Sequence, residues 1–359
     1  MSVSVEDEGF MREAIALSLT HLGLTSTNPS VGCVIVRDGV VVGRGVTALG
    51  GRPHAEPQAI AEAGELARGA TAYVTLEPCS HYGRTPPCAN TIVAAGLARV
   101  VIAVADPDER VSGRGLKILA DAGIEVTIGV CHAEARRALA GYLTRQTKNR
   151  PHVTVKMAVS KDRMIGLAGR GQIAITGSSA REAVHRLRAA SDAILVGVGT
   201  AIADDPELTV RLPGLEDRSP IRIVLDRRLE LPLTSKLART AREVPVIAVS
   251  QAGATGNGSL LESMGVEILE TDNLSQLLKI LAERGVSTLM VEGGARVVSS
   301  FLAAKLVDAI HLYTGPGEIG SSGIPAPFTA RTVPHDFVHL RSETLDRDRL
   351  DIYELPFIG

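Results

Sequence analysis

His54-Ala55-Glu56, then Pro78-Cys79 and, after eight intervening residues, Cys88, form the stretch from which the rest of the chain can be laid out. It offers one imidazole and two thiols, three ligands of the type Zn²⁺ takes, and a carboxylate, Glu56, that is left over to move protons. Three protein ligands leave the fourth tetrahedral position open, as in catalytic zinc sites, whereas structural sites take four. His81 is close enough in sequence to be that fourth ligand, so the structural alternative stays open at this point. The run from Ala55 to Ala63 reads as a helix with the motif in its first turn, where Pro57 is tolerated. A β-rich run, Ala72 to Leu76, precedes Cys79, and the segment after Cys88 reads as a helix stopped by Gly96.

The 359 residues are too many for one ordinary core and point to two domains. The polar breaker Lys148-Asn149-Arg150-Pro151 divides them into 1–147 and 151–359. With 45% hydrophobic and 22% charged residues the composition is that of a globular chain. A net charge of −2 gives no electrostatic footprint for a polyanion, and 3% aromatic residues without Trp offer few stacking platforms. Nucleic acid is therefore disfavoured and a small-molecule substrate expected. Cys33 and Cys131 lie in or just after strand-like runs and read as buried thiols, which fits a reducing compartment. No run approaches 18 apolar residues and the start lacks a signal-peptide pattern, so no membrane association and a cytoplasmic location are expected.

Along the chain, apolar periodicity predicts a helix over about residues 6–22 and strands over 31–37 and 40–47 joined at Asp38-Gly39, a hairpin signal. Beyond the cysteine segment come a strand at 100–104, a helix near 114–122, a strand at 125–128 and a helix over 132–147. A new alternation starts at residue 152, with strands at 152–159, 193–198, 221–225, 246–249, 287–291, 309–314 and 349–355. Its helices read at 178–190, 273–284 and 295–304. Both halves are α/β, the second an open, mostly parallel sheet.

Ligands of such sheets sit beyond the carboxyl ends of strands. Glu292-Gly293-Gly294 opens the helix at Ala295 and would aim backbone N–H groups at an anionic cofactor phosphate, although a plain tight turn explains the glycines equally well. Gly197 to Pro206 reads as a second glycine-bearing loop, with Asp204 and Asp205 as acceptors. No G-x-G-x-x-G pattern with a following acid is present, so a Rossmann site is not indicated. Read alone, Arg188 is a solvated helix charge, Lys156 an edge or surface residue, and Asp204-Asp205-Pro206 a turn.

The first half is similar to the zinc deaminases, whose signature is H-x-E…P-C-x-x-C, with eight residues here in place of two between the cysteines. In those enzymes the metal activates water against an amidine-like ring carbon and the Glu moves protons. Asn28 to Cys33, His54-Ala55-Glu56, Thr75 to Cys88 and Asp106-Pro107 resemble the deaminase half of the bifunctional riboflavin biosynthesis family. That resemblance implies a cytidine deaminase-like α/β/α sandwich, zinc on His54, Cys79 and Cys88, Glu56 as catalytic proton shuttle, and substrate contacts at Asn28, Arg84 and Asp106.

Lys156 to Asp162, Ile175-Thr176-Gly177, Leu187-Arg188-Ala189, Asp192 to Gly197, Thr200 to Arg211 and Val291 to Gly294 resemble the reductase half of the same family, which has a dihydrofolate reductase-like fold. This implies NADPH contacts at Ala158, Thr200, Asp204, Gly294, Ala295, Arg296, Val297, Val298, Ser299 and Ser300. It implies substrate contacts at Lys156, Arg188, Leu208, Arg211 and Glu292. The chain departs from the family pattern at Thr47, where His is usual, at Asp108 for Asn, Arg163 for Gly and Ala174 for Trp. The expected activity is zinc-dependent deamination of a diaminopyrimidinone ribosylamine phosphate, followed by NADPH-dependent reduction of its ribosyl chain, in a homo-oligomer. The alternatives are a deaminase whose second half only binds a nucleotide or mediates assembly, and an RNA-editing deaminase, which the acidic balance opposes.

Overall fold

The computed structural model describes residues 4–83, 86–108 and 111–356. They form two compact units that divide between Asn149 and Arg150.

The first unit comprises α1 (Val5–Leu19), β1 (Gly32–Arg37), β2 (Val40–Val46), α2 (Ala55–Ala63), β3 (Thr71–Leu76), α3 (Cys88–Ala95), β4 (Arg99–Val104), α4 (Arg114–Asp121), β5 (Glu125–Ile128), α5 (His132–Ala138) and α6 (Ala140–Lys148). Its sheet runs β2-β1-β3-β4-β5, antiparallel through β3 and parallel beyond it. Helices α1 and α5 cover one face and α2, α3 and α4 the other, an α/β/α sandwich. β1, β3 and β4 are buried almost throughout, as strands covered on both faces must be. The helix expected over 132–147 is broken at Leu139, whose φ of −97° and ψ of 6° end α5 and start α6.

One contact fixes the position of α2. A Cβ on Gly43 would lie 2.2 Å from the carbonyl oxygen of Ala59, and one on Gly45 would lie 2.0 Å from that of Ala55. The helix backbone thus rests directly on the bare backbone of β2, a proximity that no side chain permits.

The second unit comprises β6 (His152–Val159), β7 (Met164–Leu167), α7 (Ser178–Ala189), β8 (Ala193–Gly197), α8 (Val198–Asp204), β9 (Ile221–Leu225), α9 (Lys236–Arg239), β10 (Val246–Ser250), α10 (Gly258–Ser263), β11 (Glu267–Glu270), α11 (Leu274–Glu283), β12 (Thr288–Val291), α12 (Ala295–Ala303), β13 (Ala309–Thr314), β14 (Gly323–Pro325), β15 (Val338–Leu345) and β16 (Asp348–Glu354). The main sheet runs β11-β10-β9-β8-β12-β6-β13-β16-β15, parallel from β11 to β13 and antiparallel at the last two strands. Alternate residues of β8 belong to separate cores. Ala193 and Leu195 pack with Leu277, Leu281 and Phe301 of α11 and α12, and Ile194 and Val196 with Ala180, Val184 and Leu237 of α7 and α9. From β8 the chain turns to β9 on one side, and from β12 to β13 on the other. Adjacent strands whose connections diverge leave a crevice at their carboxyl ends, the place where such sheets bind ligands.

Candidate active site

Each of the three candidate ligands stands at an element boundary. His54 is the N-cap of α2, Cys88 is the first residue of α3, and Cys79 lies on the connection between β3 and α3. His54 Nδ1 lies 3.7 Å from Cys79 Sγ and 3.3 Å from Cys88 Sγ, and the three ligand atoms all fall within 4.8 Å of one another. A tetrahedral zinc with bonds of about 2.0–2.3 Å would separate its ligands by about 3.6 Å, so the set fits the ion. The backbone N–H of Cys88 donates to Cys79 Sγ at 3.2 Å, and hydrogen bonds from Cys88 and His54 hold the Cys79 thiol down to about 4. His81 does not belong to the cluster among the described residues. A zinc held by these three would have its fourth position open to water, which speaks against a structural fourth ligand.

Glu56, on the first turn of α2, is buried, and its carboxyl is pushed up by burial first and by the charge on Cys79 second. It lines a cavity of about 330 Å³ shared with His54, Cys79, Asn28, Thr47, Arg52, His81, Asp106, Asp108, Tyr142 and Arg145. Asn28 Nδ2 donates to the carbonyl of Gly51 at 3.2 Å, which leaves the amide oxygen for a ligand. Asp106 is buried; its Oδ1 accepts the Asp108 N–H at 2.9 Å and the Tyr142 hydroxyl at 2.9 Å. Burial raises its carboxyl to about 6, against those hydrogen bonds. Glu77, at the end of β3, accepts backbone N–H groups of Asp106, Gly113, Gly115 and Leu116 and so ties down this wall. Thr47 serves the backbone: its hydroxyl accepts the Val31 N–H at 2.9 Å. Arg84 lies outside the described residues.

Sequence reasoning missed Arg52, Tyr142 and Arg145 as cavity residues. The one available signal was that Tyr142 and Arg145 are three apart, on one helical face.

In the second unit, Lys156, Arg188 and Glu292 come together. Glu292 accepts from Lys156 Nζ at 2.9 Å and from Arg188 Nη2 at 2.8 Å. Burial acts to raise the Glu292 carboxyl, but the two cations outweigh it and bring it to about 2. Arg188 is only 9% exposed, unlike the solvated charge that its sequence context predicts. Leu208 packs its side chain into the core, so only its backbone can face a ligand. Arg211 is exposed and pairs with Glu207 at 2.8 Å, apart from the Glu292 cluster.

Of the expected cofactor residues, Thr200 and Gly294 come together at the crevice between β8 and β12. Gly197 to Asp204 is not a loop but the strand end and α8, and a Cβ on Gly294 would lie 3.2 Å from Thr200 Oγ1. Gly294 is the N-cap of α12 and has no side chain to cap the first-turn N–H groups, which are therefore available to a phosphate. Gly293 has a packing reason as well, since its Cβ would lie 2.8 Å from that of Val297. Asp204 is raised by burial first and by the charge of Glu292 second, which places it electrostatically beside the Lys156 cluster. Ala158 sits half-buried near the end of β6. The uncapped N-terminus of α12 beside Thr200 fits a phosphate of a dinucleotide.

Residues 4–104 match the cytidine and deoxycytidylate deaminase zinc-binding region, and residues 151–350 match the RibD C-terminal domain. The riboflavin biosynthesis protein RibD of Aquifex aeolicus is 42% identical over 316 residues, 88% of each chain. That of Escherichia coli is 38% identical over 328 residues, 88% of this chain and 89% of its own. Among solved structures, Acinetobacter baumannii RibD superposes with a TM-score of 0.86 at 39% identity, covering 97% of this chain and 98% of that one. A Thermotoga maritima diaminohydroxyphosphoribosylaminopyrimidine deaminase/5-amino-6-(5-phosphoribosylamino)uracil reductase superposes with a TM-score of 0.87 at 33% identity, covering 98% and 99%. With a ligand triangle in its first unit, a strand-end crevice in its second and relatives that match both, the chain belongs to the RibD family of bifunctional riboflavin biosynthesis proteins.

Proposed function

We propose that the 330 Å³ cavity of the first unit deaminates the diaminopyrimidinone ribosylamine phosphate, and that the crevice of the second reduces the ribosyl chain of the product. The observation that supports this most strongly is a three-ligand triangle with a buried, non-ligating carboxylate beside it. His54, Cys79 and Cys88 would hold zinc, which would supply a Lewis acid able to lower the pKa of water from about 15.7 to about 7. The Glu56 carboxylate moves two protons in turn: the first from the attacking water to the ring nitrogen, the second from the hydroxyl added to the ring carbon to the departing ammonia. Burial raises its carboxyl, which favours uptake of a proton. Asn28, Arg84 and Asp106 orient the pyrimidine and its ribose phosphate.

NADPH supplies the hydride for the second step. Lys156 and Arg188 keep Glu292 ionised, so Glu292 orients these two cations and does not act as the proton donor. Their N–H groups bind the substrate; the backbone of Leu208 and the guanidinium of Arg211 extend the site. Ala158, Thr200, Asp204 and Gly294 to Ser300 hold the cofactor. Four cysteines without a disulfide support a reducing, cytoplasmic location, and no described helix is long and apolar enough to cross a membrane. The long β15, at one edge of the main sheet, supports a homo-oligomer, which light scattering would test.

A coupled assay that follows ammonia release and NADPH oxidation separately tests the assignment. Glu56→Gln should lose ammonia release by about 10³-fold or more, the scale of general acid–base catalysis, while reduction of added deaminated intermediate persists. Ammonia release without NADPH oxidation on that intermediate would remove the reductase assignment.

A further inference from the structure

The lining of the cavity includes a hydrogen-bonded pair whose second member has no assigned part. Tyr142 projects from α6 and donates its hydroxyl to Asp106, at 2.9 Å from Oδ1 and 3.1 Å from Oδ2. Both residues line the cavity. Burial pushes the phenol up, so it keeps its proton and acts as donor. Oδ1 takes a second donor, the Asp108 N–H at 2.9 Å, which leaves most of the acceptor capacity on Oδ2. A carboxylate held by two protein donors has its plane fixed and keeps acceptor capacity on Oδ2 for a further donor.

We infer that Tyr142 is a positioning residue of the deaminase: it fixes the Asp106 carboxylate so that Oδ2 accepts an N–H or O–H donor of the substrate. This rests on the assignment of the cavity to deamination. The charged groups that bear on Asp106 are Asp108 on its own loop and Glu77 at the end of β3; Arg145 on α6 bears on Tyr142, and Glu56 and Arg52 also line the cavity. Asp108 and Glu77 both raise the Asp106 carboxyl, as does burial, whereas the Tyr142 hydroxyl lowers it. Asp106 must be ionised to accept from the substrate, so kcat/KM rises with pH through a limb near the value of about 6 set by this environment. Loss of the Tyr142 donor removes a group that stabilises the charged form, and the limb moves to higher pH.

The experiment compares wild type, Tyr142→Phe and Asp106→Asn in ammonia release from pH 5 to 9, with bound zinc per chain as the measure that the unit is folded. In Tyr142→Phe the expected result is KM raised about 10-fold with kcat within about 2-fold, and an acid limb moved upward by about one pH unit, the scale of one lost charge-assisted hydrogen bond. In Asp106→Asn the part of that limb due to Asp106 should be lost, leaving only that of Glu56. A zinc-loaded Tyr142→Phe enzyme with unchanged KM and an unmoved limb overturns the inference alone, as does one that loses kcat with KM unchanged. A Tyr142→Phe chain that no longer holds zinc also overturns it, because Tyr142 is then structural. A zinc-loaded wild type that releases no ammonia overturns the deaminase assignment and the inference together.

Discussion

At Arg163 the backbone has a φ of +72°, in the left-handed region where a Cβ is costly and Gly is favoured. The family's usual Gly thus has a conformational reason at this position. Arg163 is exposed and its N–H closes a turn onto the carbonyl of Ser160. Arg163→Gly is expected to stabilise the second unit by about 0.5–1 kcal/mol, relief of the left-handed penalty exceeding the added chain entropy of Gly. Urea denaturation followed by circular dichroism would show a higher midpoint, and an unchanged or lower midpoint would refute it. Single residues were legible in proportion to how unusual they are as a set. His54, Glu56, Cys79 and Cys88 form a combination that has few uses, and they stand together in the structure. Arg188 belongs to a residue type found on almost every helix surface, and only the fold reveals that it is buried against Glu292. Tyr142 and Arg145 gave only the weak signal of sharing one helical face, because a cavity lined from another element leaves no other mark in the local pattern.

Elements with a strong apolar rhythm were legible, and those without it were not. β3, β4, β8 and β10 are almost wholly buried, and their sequences are nearly continuous apolar runs. β7 and β11 have no fully buried residue, β14 has only three residues, and most of β15 is exposed, so their sequences show no alternation. α8 carries Gly199 within it and follows Gly197, and glycine marks a loop more often than a helix. The seating of α2 on β2 is the element-scale feature with the clearest consequence for activity. In Gly45→Ala, the added methyl meets the Ala55 carbonyl at 2.0 Å, a backbone atom that cannot move without the helix. The variant should be destabilised by about 2–3 kcal/mol and should lose zinc affinity, because His54 moves with the helix it caps. Zinc titration against a competing chelator would read this; a variant with wild-type affinity would show that α2 yields without displacing its N-cap.

At the scale of the whole molecule there are two units with separate hydrophobic cores, and only the first contains the metal-ligand set among the described residues. A chain of this kind need not melt in one step. A strong chelator should lower the melting temperature of the first unit, by about 2–4 °C for each kcal/mol of binding energy withdrawn, and leave the transition of the second and its NADPH oxidation where they were. Scanning calorimetry with and without the chelator would check this, and an equal shift of both transitions would contradict it. The ligands also come from two distant places in the sequence, His54 ahead of α2 and Cys88 at the start of α3, with β3 between them. A bridge between such points closes a ring in the polymer. The denatured chain that still carried the bridge would have fewer shapes to explore, a restriction worth about 4 kcal/mol for a covalent link across a loop of that length. In a protein whose thiols form no disulfide, the ion that serves catalysis would thus double as the cross-link, and sequestering it would act on the first unit as a reductant acts on a disulfide-bonded domain.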